Sequence, residues 1–299
     1  MYLQRLSFLR SVKRMKTYCI ENDKLSLSVK EYGAELHSIV SKDTGFDFLW
    51  NGDESVWYGQ SPILFPIIGR LLDDKYRYDG NEYTMPKHGL FRKRNAQLVS
   101  CDKNKLVLVQ TADAETLKSY PFTFVVYIMF EIVGKSVKVT HKVVNTNDKT
   151  MYFSIGAHPG FKCKIGDYLE FDENETLSTE MIDSDSIRVN EKIPVLNNEK
   201  KIVITEHIFD NDALIFSNIK SKHITLHSTD CARKVKFDFG SSPYLGIWAK
   251  PGAPYVCLEP WFGVNDSRDK KDCICKKEGI ISLESNKSFE FAWTAEFSE

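Results

Sequence analysis

Phe124-Val-Val-Tyr-Ile-Met-Phe130 and the turn that follows it decide the fold class of this chain. The stretch is apolar throughout, as expected of a strand that is buried on both faces. Gly134 and Lys135 then separate two strand-like runs, residues 123–132 and Ser136–Asn145, and this is the pattern of a hairpin turn. The sequence therefore predicts an antiparallel strand pair at its centre.

Strand patterning continues in both directions from this hairpin. Residues 24–30 alternate apolar and polar side chains, which is the period of a half-buried strand. Helical signal is confined to residues 113–120, which Pro121 stops, and residues 191–201 have the composition of a surface loop. The other predicted strands are residues 36–40, 47–50, 105–111, 151–155, 223–228, 234–239, 255–258 and 288–294.

These patterns predict an all-β, antiparallel sandwich with few short helices. Residues 15–299 are expected to form one domain, and residues 1–14 an extension outside the fold. Arg5 and Arg10 interrupt the apolar residues near the start, so the extension does not match a secretory signal, and Met15 is an equally good start.

Composition narrows the classes of partner. The net charge is −1, which gives no electrostatic footprint for nucleic acid or an acidic membrane. Seven cysteines are scattered without zinc-ribbon spacing, and we expect them to be reduced thiols in a cytoplasmic protein. A small-molecule substrate, no nucleic acid or membrane partner, and a monomer or dimer are the resulting expectations.

The stretch from Tyr152 to Phe161 presents a histidine on a stiff backbone. A strand-like run ends at Gly156, and His158 is followed by Pro159 and Gly160. Proline fixes its own φ and keeps the preceding residue out of the helical region. His158 is thus a candidate general acid, although a turn histidine with a structural hydrogen bond fits the same pattern.

A carboxylate and a second histidine are the other candidate catalytic groups. Glu259 lies between an apolar run and Pro260-Trp261, where burial would raise its pKa towards that of a useful general base. His88 stands on a bent backbone before Gly89. Their structural alternatives are a buried glutamate paired with an arginine and a polar loop residue.

Several further side chains could contact a ligand. Arg70 and Arg92 carry guanidinium groups suited to hydroxyl, carboxylate or phosphate oxygens, and Trp248 could stack on a pyranose ring. Each has a structural alternative, an ion pair for the arginines and the core for the tryptophan. His223 and His227 lie about 13 Å apart on one strand, too far to share a metal ion.

The motifs that carry these groups, in their order and spacing, resemble the aldose 1-epimerase (galactose mutarotase) family. They are Arg70, His88-Gly89, His158-Pro-Gly-Phe161 and Leu258-Glu-Pro-Trp261 with Gly263. The Glu-Pro-Trp form and the chain length resemble its LacX-like branch. The resemblance implies a β-supersandwich with a sugar site on a concave face, and an isomerase that interconverts α and β anomers of free aldoses without cofactor or metal.

The resemblance also implies roles for individual residues. Glu259 matches the base that takes the proton from the C1 hydroxyl, and His158 the acid that protonates the ring oxygen. His88 and Arg70 match groups that hold the C1 or ring oxygens. Asp212 matches an aspartate for sugar hydroxyls, with Asp210 a close second.

Alternatives remain open at this point. Arg92 is shared with the related hexose-6-phosphate mutarotases, so a sugar phosphate is one alternative substrate. A carbohydrate-binding protein without catalytic activity is a second alternative, because one fold can carry different functions. A glycoside hydrolase ranks last, because it needs two acids about 5–9.5 Å apart and the sequence offers only Glu259 convincingly.

Overall fold

The computed structural model describes residues 16–270 and 273–299, and about 52% of the chain is strand and 5% helix. The predicted extension, residues 1–14, lies outside the described part. In chain order the strands are β1 Thr17–Glu21, β2 Leu25–Lys30, β3 Leu36–Ser41, β4 Ile63–Leu64, β5 Lys75–Tyr78, β6 Asn81–Thr84, β7 Gln97–Cys101, β8 Lys105–Thr111, β9 Phe124–Val133, β10 Ser136–Asn145 and β11 Met151–Phe153. They continue as β12 Ile155–Ala157, β13 Gly160–Lys162, β14 Tyr168–Ile182, β15 Arg188–Val203, β16 Leu214–Ser217, β17 His223–His227, β18 Lys234–Asp238, β19 Tyr244–Trp248, β20 Tyr255–Phe262, β21 Ile281–Leu283 and β22 Ser288–Ser298. One α-helix, α1 Ala114–Ser119, and three short 3-10 helices at Leu72–Asp74, Phe91–Lys93 and Ile274–Lys276 complete the described elements.

Two antiparallel sheets dominate the architecture. The larger has nine strands in the order β15-β14-β17-β18-β22-β10-β9-β8-β7, and the smaller has the order β16-β19-β20-β12-β4, with β13 also paired to β20. Three smaller sheets, β1-β2-β3, β5-β6 and β11-β21, flank them. The predicted all-β supersandwich is confirmed.

The core lies where these two sheets face each other. Strand β22 alternates exposed and buried residues along its length, so Trp293 and Phe297 point inward. Phe161 of β13 packs its ring 6.3 Å from that of Phe297 and 5.8 Å from that of Phe237 on β18. Burial of these large aromatic side chains supplies much of the hydrophobic free energy that holds the sheets together.

The central hairpin and the helix are confirmed. Strands β9 and β10 pair in antiparallel register around Gly134, whose φ of +58° suits a turn glycine. Helix α1 begins after Asp113, whose side chain caps the N–H groups of Glu115 and Thr116. Strand β9 differs in one respect, because its residues alternate between buried and half-buried. One face of β9 meets the core and the other is only partly covered.

The prediction of a surface loop at residues 191–201 is wrong, because these residues lie within strand β15, which pairs with β14. Their polarity reflects position, since β15 is the outermost strand of the large sheet and most of these residues are exposed. Register shifts along β14 and β15 accommodate Pro194 and the positive φ of Asn198. Edge strands and bulges are where proline is tolerated in a sheet.

Two smaller expectations also differ from the structure. Residues 47–50, predicted as a strand, form only isolated bridges, Val40 with Asp47 and Leu49 with Phe161. The expectation of seven free thiols is wrong for Cys273 and Cys275, which form a disulfide. Their Cα atoms are 5.3 Å apart, within the range that a disulfide spans. No helix in the described ranges is long and apolar enough to cross a membrane.

Candidate active site

Strand β20 lies inside the smaller sheet and brings two of the candidate groups together. Gly160 pairs with Cys257, two residues before Glu259, and Gly156 pairs with Trp261, two residues after it. The segment that carries His158 therefore runs antiparallel to β20 and places His158 beside Glu259. The carbonyl of Pro159 accepts a hydrogen bond from the Leu258 N–H at 3.1 Å. His158 is therefore fixed by backbone pairing on both sides.

The side chains of His158 and Glu259 meet at the floor of a cavity. Nε2 of His158 lies 3.2 Å from Oε2 of Glu259, with side-chain exposures of 10% and 1%. The imidazole lies 5.1 Å from the Trp57 ring at a shallow angle and meets the Trp248 ring edge-on at 5.6 Å. This geometry brings together two side chains that are far apart in the sequence.

Trp261 orients the carboxylate. Its indole N–H donates to Oε2 of Glu259 at 3.2 Å, and residues two apart on a strand share a face. A Cβ atom on Gly156 or Gly246 would lie 2.8 or 2.7 Å from Trp261 ring atoms. Glycine at both neighbouring positions is what leaves room for the indole.

Burial shifts the pKa values of His158 and Glu259 in the directions that favour the neutral form of each side chain. It raises the pKa of Glu259 well above its usual range, and nearby Asp212 adds to this effect, while the Trp261 hydrogen bond opposes it. Burial lowers the pKa of His158 to about 3, with Arg92 and Lys87 contributing. Around neutral pH both groups are therefore neutral, and the one proton that the pair shares lies on the Glu259 carboxyl.

His88 completes the group as a neutral donor. The backbone of His88 has a φ of +65°, and its backbone N–H donates to the carbonyl of Gly69 at 2.7 Å. The Gly69 N–H in turn donates to Nδ1 of His88 at 3.2 Å, so the ring hydrogen belongs on Nε2. Burial, with His158 nearby, holds the pKa of His88 well below its usual range. Its ring lies 5.9 Å from that of His158.

The cavity above these groups has a volume of about 390 Å³, within the range of small-molecule sites. Asp212 and Asp210 both line it, but Asp210 is exposed and hydrogen-bonded to His207 at 2.9 Å. Trp248, the tryptophan expected from the sequence to stack on a sugar, lines it together with Trp261. A mixed wall of aromatic, acidic and imidazole groups suits a polyhydroxylated ring.

Two cations occupy one wall of this cavity. Arg92 donates from Nη2 to the carbonyl of Lys87 at 3.1 Å, and its buried Nε has no hydrogen-bond partner. Lys87 donates from Nζ to Oγ of Ser186 at 3.0 Å. Within residues 16–270 and 273–299, neither cation has a carboxylate within 4.0 Å. Sequence reasoning selected Arg92 but missed Lys87, whose only signal was its position directly before His88.

Arg70 lies elsewhere, contrary to the expectation that it holds sugar oxygens. Its Nε and Nη2 atoms donate to the two carboxylate oxygens of Asp74, both at 2.8 Å, and Arg70 is not among the residues that line the cavity. An acidic partner four residues away satisfies the guanidinium, which is the structural alternative weighed above. Trp57, which lies against His158, was also missed, because its loop carries no distinctive pattern.

One group of side chains in the described part of the chain could hold a metal ion. Ligand atoms of His158, Cys257 and Glu259 lie within 4.8 Å of one another. Imidazole, thiolate and carboxylate are the ligands that zinc prefers. A metal there would occupy both members of the proton-sharing pair.

A family model, curated relatives and solved structures all relate the chain to the same group of proteins. The aldose 1-epimerase family matches residues 16–267. The chain is 31% identical over 280 residues to the plasmid-encoded protein LacX of Lactococcus lactis subsp. lactis, covering 88% of this chain and 93% of that protein. A galactose mutarotase related enzyme from Lactobacillus acidophilus superposes with a TM-score of 0.91 at 27% identity, covering 95% and 98% of the two chains. A galactose mutarotase-like protein from Lactobacillus casei ATCC 334 gives a TM-score of 0.90 at 26% identity, covering 95% and 100%.

Proposed function

Because this chain belongs to the aldose 1-epimerase family and is an isomerase of mutarotase type, we propose that it interconverts the α and β anomers of a free aldohexose by acid–base ring opening and reclosure. The observation that carries the proposal is the contact between His158 and Glu259 at the floor of the cavity. An acid and a base that face each other can serve the two oxygens of one hemiacetal.

Ring opening requires one proton to leave and another to arrive. Glu259 takes the proton from the C1 hydroxyl, the C1–O5 bond breaks, and His158 gives its proton to O5. The sugar becomes the open-chain aldehyde without forming a free alkoxide or oxonium ion. Rotation about C1–C2 exposes the other face of the carbonyl, and reclosure returns both protons. Each positioned proton transfer is worth roughly 10²- to 10⁴-fold in rate.

The proton shared by His158 and Glu259 suits this cycle. The buried pair holds one mobile proton between Nε2 and Oε2. When a sugar binds, this proton passes from Glu259 to His158, which becomes the acid, and Glu259 is left as the base. The neutral Nε2–H of His88 is free to donate to the C1 or ring oxygen.

The remaining cavity residues hold the sugar. We assign Asp212 to the sugar hydroxyls in preference to Asp210, because Asp212 acts on the pKa of Glu259 whereas Asp210 is engaged by His207. The Trp248 ring borders His158 and offers an apolar face for the pyranose. We assign Arg70 no sugar contact.

Polarimetry with freshly dissolved α-glucose and α-galactose tests this function. The Glu259→Gln variant keeps the shape of the side chain but removes the base, so we expect mutarotation above the spontaneous rate to fall by roughly 10²- to 10⁴-fold. Asp210→Asn is the matched control, because it removes an exposed carboxylate at the rim and should keep most of the activity. Tight sugar binding by calorimetry without any catalysed mutarotation would instead favour a carbohydrate-binding protein.

A sugar phosphate is a second candidate substrate, favoured by one observation. Lys87 and Arg92 line the cavity without a carboxylate partner among the residues that the structure describes, and Arg92 keeps a buried Nε unsatisfied there. A phosphate group would satisfy both cations. With α-glucose 6-phosphate as substrate, Arg92→Met should then raise KM at least tenfold while leaving KM for glucose almost unchanged. Equal effects on both sugars would assign Arg92 to the ring itself.

A further inference from the structure

A second cavity, which we call the basic cavity, lies apart from the candidate active site. Its volume is about 300 Å³, and none of its lining residues lines the first cavity. It is formed by the segment 46–51, the end of β13 and the β17–β18 hairpin. It is thus built by the two large sheets and a connecting segment, where their strands end.

The floor of the basic cavity is apolar and rigid. Phe48 and Trp50 are 3% and 5% exposed, and Leu226 and Val235 are buried beside them. The Trp50 indole N–H donates to the carbonyl of Trp57 at 2.8 Å, so its polar atom is satisfied, and its ring packs 4.8 Å from the Tyr255 ring beneath the cavity. A floor of this kind suits a flat apolar ring.

The rim carries a surplus of positive charge. In the described part of the chain, Lys162, Arg233 and Lys234 have no carboxylate within 4.0 Å. Arg233 lies 3.9 Å, and Lys162 5.6 Å, from the centroid of the Phe46 ring. These cations are therefore held around an aromatic ring.

The two acidic residues of the basic cavity offset only part of its positive charge, because four cations, Lys164 included, line the same cavity. Asp230 is paired with Lys164 at 2.7 Å. Asp167 is buried, and its carboxylate accepts hydrogen bonds from the N–H groups of Thr229 and Lys164 at 2.8 and 2.9 Å. Both acids have partners of their own, and within the described residues neither is paired with Lys162, Arg233 or Lys234. These three cations can therefore contact a ligand, with Arg233 steadied by the hydrogen bond from its Nε to Cys231 Sγ at 3.0 Å.

We propose that the basic cavity binds a small organic anion. Its apolar ring would lie on Phe48 and Trp50, and its acidic group, a carboxylate, sulfonate or phosphate, would contact Lys162, Arg233 and Lys234. The apolar floor matches the ring of such a molecule and the cations match its acidic group. The basic cavity shares no lining residue with the candidate active site. Binding is therefore independent of the function proposed above.

The probe for this site is 1-anilinonaphthalene-8-sulfonate, with the neutral N-phenyl-1-naphthylamine as its matched comparison. The anion should bind saturably, with enhanced probe fluorescence, and weaken as salt is added. The double variant Lys162→Met/Arg233→Met should raise its Kd at least tenfold without changing that of the neutral probe. Lys220→Met/Lys222→Met removes the same charge from exposed lysines that do not line the cavity, and should leave Kd unchanged.

Three results would overturn the proposal. They are equal binding of both probes, equal loss of binding in the two double variants, and loss of binding in Arg92→Met, which would place the anion in the first cavity. If the Lys162→Met/Arg233→Met protein fails to fold, as judged by thermal unfolding, Lys234→Met serves in its place. Lys234 is exposed, and its removal should raise Kd by about threefold or more, whereas an unchanged Kd would contradict the site.

Discussion

The two carboxylate oxygens of Glu259 have different surroundings. Oε2 lies 3.2 Å from both Nε2 of His158 and Nε1 of Trp261, whereas Oε1 makes no hydrogen bond within the described residues. The oxygen without a partner is the one available to a ligand in the cavity. We therefore assign the proton transfer from the C1 hydroxyl to Oε1, while the Trp261 N–H keeps Oε2 in place and His158 turns to the ring oxygen.

The pH dependence of activity follows from the two shifted pKa values. Activity requires one mobile proton on the His158–Glu259 pair. Activity is lost below the lowered pKa of His158, about 3, because both groups are then protonated. It is also lost above the raised pKa of Glu259, because the pair has then given up its shared proton. We expect kcat/KM to stay flat from about pH 4 to neutrality and to fall on the alkaline side.

Polarimetry with the spontaneous rate subtracted at each pH measures this profile. Glu259→Gln should remove the alkaline limb together with the activity. A rise in kcat/KM of the unsubstituted protein with a midpoint near 6.5 would mean that His158 titrates as an ordinary histidine, and would contradict the shared-proton arrangement.

At the scale of elements, strands β12, β19 and β20 make the site by close packing around one indole. Gly246→Ala would place a Cβ atom 2.7 Å from a Trp261 ring carbon, so the indole and the carboxylate that it holds must move. Small displacements of catalytic groups cost roughly 10²-fold in rate. We expect kcat for the sugar to fall roughly 10- to 100-fold with little change in KM.

Ile247→Val is the matched control for that change. Ile247 is buried and adjacent on β19, so its side chain points to the opposite face. It should cost about 0.5–1.5 kcal/mol of stability and leave kcat unaltered. Equal loss of kcat in both variants would mean that general destabilisation, not the position of Trp261, sets the rate.

Patterned elements were predictable from sequence, and context-dependent ones were not. Strands β2, β8 and β10 show apolar alternation or apolar runs, so local pattern and final structure agree. Strand β15 lacks that signal because most of its side chains face solvent. The cavity residues Lys87 and Trp57 escaped notice for a related reason, since only tertiary packing brings them to His158.

At the scale of the whole molecule, the core between the two large sheets sets stability. Trp293 is 1% exposed and lies 5.4 Å from the Phe237 ring. Trp293→Ala should lower the free energy of unfolding by about 3–5 kcal/mol, because it removes a large buried side chain and leaves a cavity. Urea unfolding followed by circular dichroism measures the change.

Thr294→Ala provides the comparison on the same strand. Thr294 is half-buried and points away from Trp293, so its loss should cost less than about 1 kcal/mol. If the two variants unfold at the same urea concentration, the interior between the sheets does not carry the stability assigned to it.

The fold class and most of the cavity could be predicted from the sequence, but the ion pairing could not. His88, Arg92, His158, Asp212, Trp248 and Glu259 all line the first cavity. Arg70 does not, because Asp74 lies within reach of its guanidinium. Which of two possible partners a charged side chain finds depends on distances that only the folded chain fixes.

Strand β15 has a consequence for how copies of the protein behave at high concentration. An open strand at the side of a sheet exposes backbone donors and acceptors to which another chain can add, and this is a route to aggregation. Along β15, Pro194 lacks a donor, and Glu191, Lys192, Glu199 and Lys200 place charges on the open side. The polarity that disguises this strand in the sequence thus disfavours edge-to-edge pairing between copies, and none of these five residues lines the candidate active site.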